Sequence, residues 1–227
     1  MLGIYSIQKF STLDFPGRLC AILWFSGCNM RCDYCYNKDV VFGQKRIEED
    51  EVIEFLKTRV GLLDGVSFTG GCPTLYKNLI PFSEKIKTLG FEIKLDTNGI
   101  NFDVVKEMVD KKLVDYIALD FKAPKEKFEK ITKNKHYEKF EKTLDFLISS
   151  NIEFEVRTTV HTDLLDENDI NEIIKILHQK GYKNTYYLQN YFETEKETIG
   201  HIGAQKRKLD TSKIIDLIPV EFRNFDI

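Results

Sequence analysis

Short apolar runs alternate with longer amphipathic stretches along the chain. The run Leu19–Phe25 (LCAILWF) predicts a buried strand, bounded by Gly17 and by Ser26-Gly27. Val52, Ile53, Leu56, Val60 and Leu63 then fall at helical spacing and predict a helix over Glu49–Leu63. Gly65–Thr69, Phe91–Asp96, Asp115–Phe121, Ile152–Val160 and Asn184–Gln189 read as further strands. Thr74–Leu89, Asp103–Lys112, Tyr137–Ser149 and Glu167–Lys180 read as helices. Thr74 is the expected cap of the first of these, and Gly90 and Gly181 are expected stops.

Six such βα-like units imply a parallel α/β sheet with right-handed crossovers. A closed eight-unit barrel takes about 250 residues, and the chain has 227. An open partial barrel or a doubly wound sheet remains, and in both the function sits at the C-terminal ends of the strands. The sequence shows no linker and no second core. The Lys- and Glu-rich stretch from Lys122 to Lys142 reads as a solvated face.

Composition narrows the function. With 42% apolar and 30% charged residues the chain is expected to fold rather than stay disordered. The net charge of −3 argues against a nucleic-acid binder. Met1 to Thr12 lacks the features of a targeting signal. The longest apolar run is far short of the roughly twenty residues that span a membrane. A soluble, cytoplasmic protein is therefore expected.

The five cysteines are odd in number, and three crowd into Cys28-Asn29-Met30-Arg31-Cys32-Asp33-Tyr34-Cys35. That argues against a disulfide framework and for a thiolate metal site. A structural zinc site wants four ligands; three cysteines can hold an iron–sulfur cubane with one iron left open. Cys20 lies inside the first strand and is expected in the core, as is Trp24. Cys72 falls at the end of the second strand, on the same rim as the cluster motif. Zinc completed by Cys72, Cys20 or a histidine is the plainer alternative.

The C-x3-C-x2-C spacing, with Tyr34 as the aromatic before the last cysteine, resembles the radical S-adenosylmethionine (SAM) signature. Gly70-Gly71-Cys72-Pro73 is similar to that family's Gly-Gly-Glu-Pro, with Cys72 in place of Glu. Asp96-Thr97-Asn98-Gly99, Asp120-Phe121-Lys122 and Arg157 resemble its later strand-end motifs. Ser11–Arg18 resembles the segment before the first strand in activating enzymes of glycyl radical proteins, and the likeness runs over roughly residues 4 to 190.

The resemblance implies a partial (βα)6 TIM-like barrel, with residues 1–190 as the radical SAM core and 191–227 as an extension packed on it. It implies a [4Fe–4S] cluster on Cys28, Cys32 and Cys35, with SAM chelating the open iron. Electron transfer to SAM then yields a 5′-deoxyadenosyl radical, which takes hydrogen from a glycine of a partner protein. Tyr34 would pack on adenine, and Gly70, Gly71, Cys72 and Pro73 would receive the methionine amino group through backbone. Asp96, Thr97 and Asp120 would take a monovalent cation, beside Asn98. Lys122 and Arg157 would pair with SAM's carboxylate or ribose side, and Gln189 would contact adenosine.

The expected partner is an anaerobic ribonucleotide reductase, with a flavodoxin or ferredoxin as electron donor. Asp14–Arg18 and Lys206-Arg207-Lys208 are candidates for its docking surface. The leftover cysteines are too few for an inserted ferredoxin-like domain. His161 reads as a loop-end histidine rather than a base, and His136, His178 and His201 carry no functional pattern. Two rivals stand beside this reading. One is a radical SAM enzyme acting on a small molecule or peptide, like 7-carboxy-7-deazaguanine synthase. The other is a non-catalytic metal-binding module.

Overall fold

The apolar run Cys20–Phe25 forms the strand β2. Its neighbours follow in chain order, so the eight strands of the sheet lie side by side in the order of the sequence. The computed structural model describes residues 3–44, 46–194 and 197–225. The outer ends of the two expected segments, 1–2 and 226–227, lie outside the described residues.

β1 (Ile4–Ser11) runs antiparallel to β2. β3 (Gly65–Gly70), β4 (Glu92–Thr97), β5 (Tyr116–Asp120), β6 (Glu153–Val160) and β7 (Tyr186–Asn190) follow in parallel. β8 (Val220–Arg223) adds to β7, also in parallel. β1 and β8 stand at the two ends of the ladder, so the barrel is partial.

The helices are α1 (Lys38–Phe42), α2 (Glu49–Lys57), α3 (Leu79–Thr88), α4 (Phe102–Asp110), α5 (Lys125–Thr132), α6 (Tyr137–Ser149) and α7 (Glu167–Gln179). α7 starts at a full capping box: the Asp166 side chain accepts from Asn168 and Asp169 N–H, and Asp169 reaches back to the Asp166 N–H. Thr74 does not cap α3. Pro73–Leu75 forms a single 3-10 turn, and the helix begins at Leu79. The helix expected to reach Leu63 ends at Lys57. Among the described residues no helix is long and apolar enough to cross a membrane.

Strand period two splits each strand between two environments. Ile93 and Leu95, Ile117 and Leu119, and Phe154 and Val156 belong to the main hydrophobic core. The alternate residues Asp96, Asp120 and Arg157 line a central cavity instead. Trp24 does the same. It was expected in the core, but it alternates with Leu23 and Phe25 and is half-buried on the cavity wall.

At the N-terminal ends of the strands, Phe15 packs against Cys20 and Tyr116 in a small separate core. A Cβ on Gly65 would fall 2.8 Å from the Phe15 ring. Arg18 stacks on that ring and pairs with Glu92. Phe15 and Arg18 thus lie at the N-terminal ends of the strands, while Asp14 also lines the central cavity.

In the stretch Lys122–Lys142, Lys125, Glu126, Glu129, Lys130 and Lys133 are exposed, while Phe128 and Ile131 of α5 are buried in the core, because their spacing gives the charged helix one apolar face.

Candidate functional site

The segment after β2 carries Cys28, Cys32 and Cys35, and much of what shapes it comes from distant parts of the chain. Two carbonyls at the C-terminal end of α5 accept from it: Thr132 from Arg31 N–H at 2.8 Å and Ile131 from Asp33 N–H at 3.1 Å. Helix-end carbonyls lack intrahelical donors, so this pairing satisfies both partners. The Asn134 amide donates to Asn29 C=O at 2.9 Å, and Arg31 Nη1 donates to Cys28 C=O at 2.6 Å.

From the far end of the chain, Ile199 N–H donates to Cys35 C=O at 2.9 Å and Gly200 N–H to Asp33 C=O at 3.0 Å. The periodicity of the chain does not foretell α5, Asn134 or Thr198–Gly200 as parts of the site.

Gly70 and Gly71 pass against the same segment. Gly71 N–H donates to Phe25 C=O at 2.9 Å, and Cys72 N–H to Gly27 C=O at 2.8 Å. A Cβ on Gly71 would sit 1.8 Å from the Gly27 carbonyl oxygen, and one on Gly70, whose φ is +112°, would sit 2.7 Å from the Phe25 backbone. Both glycines are therefore required by backbone meeting backbone.

The three cysteine thiols share a cavity of about 300 Å³ with Tyr34, Gly70, Gly71, Asp96, Thr97, Asn98, Asp120, Lys122, Arg157 and Gln189. Cys72 and Pro73 do not line it. The Cys72 thiol is buried beside Thr74 Oγ1 at 3.1 Å, and Pro73 is buried in its 3-10 turn.

All five cysteines are free. Burial, with the nearby Cys72, pushes the Cys28 thiol up to about 12, and burial pushes Cys32 up to about 11. Asn98 Nδ2 approaches Cys28 Sγ at 3.8 Å and donates to Asn29 Oδ1 at 2.7 Å. The buried Tyr34 hydroxyl lies close enough to Cys32 to favour its thiolate, yet makes no hydrogen bond of normal geometry among the described residues.

Across the cavity runs a chain of alternating charge. Lys94 pairs with Asp96. Arg157 bridges both carboxylates, with Nη2 3.0 Å from Asp96 and Nε 2.6 Å from Asp120. Lys122 pairs with Asp120 at 3.0 Å. Burial alone would raise both carboxyls, but Arg157 and the lysines outweigh it and hold them below the usual range. Behind Arg157, Glu155 takes a two-pronged bond from Arg223 of β8 at 3.1 and 3.3 Å.

His161 is structural. Its Nε2 meets Gly203 C=O at 2.9 Å and its Nδ1 accepts from Asp163 N–H at 3.3 Å. In the basic tail run, Arg207 is paired with Glu167 at 2.7 Å and Lys206 with Asp163 at 3.5 Å.

Comparison with known proteins follows the same outline. The chain is 34% identical over 182 residues to a protein of Methanocaldococcus jannaschii named as a glycyl-radical enzyme activating enzyme, covering 76% of this chain and 74% of the relative. It is 31% identical over 126 residues to the pyruvate formate-lyase-activating enzyme of Clostridium pasteurianum, covering 52% of each. Among solved structures, Streptococcus suis SuiB bound to S-adenosylmethionine superposes with a TM-score of 0.67 at 14% identity, over 87% of this chain and 48% of SuiB. The fold is therefore shared with proteins about twice as long. Residues 22–179 match the radical SAM superfamily model. On that match the chain belongs to the radical SAM superfamily and is a radical SAM enzyme.

Proposed function

We propose that this chain activates a glycyl radical protein, with an anaerobic ribonucleotide reductase as its substrate. Its identity to the Methanocaldococcus jannaschii relative, extending over three quarters of both chains, carries the reading. The residues fit the cluster that the family implies. Three soft thiol donors, Cys28, Cys32 and Cys35, line one cavity, a donor set that would suit an iron–sulfur cluster. When bound, the cluster supplies the electron that cleaves SAM to the 5′-deoxyadenosyl radical.

Cys28, Cys32 and Cys35 hold the cluster in this proposal. SAM lies between them and the paired charges of Asp96, Asp120, Lys122 and Arg157. Its zwitterionic methionine end finds both signs there. Gly70, Gly71, Cys72 and Pro73 offer backbone, Tyr34 its ring, and Thr97, Asn98 and Gln189 polar contacts. A monovalent cation beside Asp96, Thr97 and Asp120 shares the carboxylates with Arg157. A flavodoxin or ferredoxin supplies electrons, in an oxygen-poor cytoplasm. Residues 1–190 act as the core and 191–227 as its extension.

The test is anaerobic electron paramagnetic resonance with reconstituted protein, SAM, reductant and the reductase. A SAM-dependent glycyl radical doublet is expected; its absence, with SAM cleavage intact, contradicts the reading. A second reading has support from 33% identity over 107 residues, 44% of this chain, to 7-carboxy-7-deazaguanine synthase of Koribacter versatilis. It predicts 5′-deoxyadenosine formation stimulated by a small heterocycle without any partner protein.

A further inference from the structure

The line of charge across the cavity does not end at Arg157. Glu155 stands two positions earlier on β6, so strand alternation puts both side chains on one face. Its side chain is 3% exposed. Two guanidinium groups approach it. Arg223 of β8 bonds both oxygens, Nη1 to Oε1 at 3.3 Å and Nη2 to Oε2 at 3.1 Å. Arg157 stands further off, with Nη1 3.9 Å from Oε1. The Tyr116 hydroxyl donates to Oε2 at 3.1 Å. Lys94, Asp96, Arg157, Glu155 and Arg223 thus alternate in charge from β4 to β8.

Arg223 lies beyond residues 22–179, the part of the chain that matches the superfamily model. It is nevertheless built into the barrel. Its guanidinium lies over the Tyr187 ring, 3.5 Å from the centroid. The side chain therefore crosses β7 to reach β6. A planar fork that stacks by its face and pairs by its edge suits arginine and not lysine.

Arg157 has three carboxylates around it and does not bond all three. Nε meets Asp120 and Nη2 meets Asp96, both on the cavity wall. Nη1 stays outside hydrogen-bond distance of Glu155. Glu155 has its oxygens taken by Arg223 and Tyr116 instead. A buried carboxylate stripped of its counter-ion is costly. Loss of Arg223 would leave Arg157 as the replacement already at hand. We infer that Arg223 is a positioning residue: by occupying Glu155 it keeps the Arg157 guanidinium turned toward the cofactor cavity. The inference rests on the placement of SAM against Arg157 proposed above. It makes β8 serve the cofactor site through Glu155 and Arg157, without contact.

The experiment measures SAM affinity by equilibrium dialysis on the reconstituted holoenzyme, without reductant. Crystal structures of the same variants locate Arg157. Arg223→Met keeps the stem over Tyr187 but removes the charge. It is expected to bring Arg157 into hydrogen-bond distance of Glu155 and off Asp120. The dissociation constant for SAM should rise at least about tenfold. Adding Glu155→Gln removes the competing charge, so the double variant should return Arg157 to Asp120 and recover most of the affinity. A merely structural role predicts no such recovery. Arg223→Lys is the milder variant should the methionine form not fold, with a partial loss that Glu155→Gln again reverses. An Arg157 that stays on Asp120 in the single variant overturns the inference, as does a lost affinity that the double variant does not restore. If Arg157 moves and returns as expected while SAM affinity stays constant throughout, the positioning role stands and the placement of SAM against Arg157 fails.

Discussion

Gly200 is packed directly against Asp33: its N–H donates to the Asp33 carbonyl, and a Cβ at Gly200 would lie 2.6 Å from Asp33 Cα. The tail thereby grips the cysteine loop between its second and third cysteines. Gly200→Val forces this contact apart, and overpacking of this kind costs about 1–3 kcal/mol. Thermal unfolding should show the loss, and chelators should strip iron from the reconstituted variant several times faster. Iron release at the wild-type rate would show that the tail does not steady the loop.

How far the sequence carries is clear from such pairs. The cysteine spacing, the strand ends and the βα alternation are local patterns, and they lead to a cavity that gathers all but two of the expected residues. Gly70 and Gly71 were legible as a close approach, although what approaches them is the Phe25–Gly27 backbone. The bracing of the cysteine loop by Thr132, Ile131 and Gly200 was not legible. Those contacts use main-chain groups, which every residue owns, so no side-chain pattern marks them. β1 and β8 also escaped, because a partly exposed edge strand has no continuous apolar run.

Arg157 stands between two partly buried carboxylates. Arg157→Ala leaves Asp96 and Asp120 short of their shared cation, and losing hydrogen bonds to charged groups of this kind costs about 1.5–3 kcal/mol. Arg157→Lys, which cannot reach both with a rigid fork, should recover only part. Urea titration measures both. An alanine variant as stable as wild type would contradict the bridging role.

Cys72→Glu tests the departure from the family pattern. The thiol sits in a closed pocket beside Thr74 and Thr97. A larger, ionised side chain there overpacks and needs solvation, so the thermal midpoint should fall. An unchanged or higher midpoint would mean that the pocket opens toward the cavity.

The Glu167–Arg207 pair fastens the tail to α7 and has a definite pH signature. The Arg207 hydrogen bond lowers the Glu167 carboxyl to about 2 from its ordinary 4.5. A depressed carboxylate stabilises the fold fully above its unfolded pKa and loses that contribution as pH falls toward its folded pKa. The thermal-midpoint gap between wild type and Glu167→Gln should therefore be present at neutral pH and close between about pH 4.5 and pH 2. A gap that widens on acidification contradicts the assignment.

In the proposed reaction hydrogen leaves a glycine of a partner protein and arrives on SAM-derived 5′-deoxyadenosine. Mass spectrometry of that product, after anaerobic reaction with a reductase grown on deuterated glycine, measures the transfer itself. Deuterium is expected in 5′-deoxyadenosine, together with a radical on the reductase. Unlabelled 5′-deoxyadenosine, formed at the same rate with or without the reductase, would contradict it.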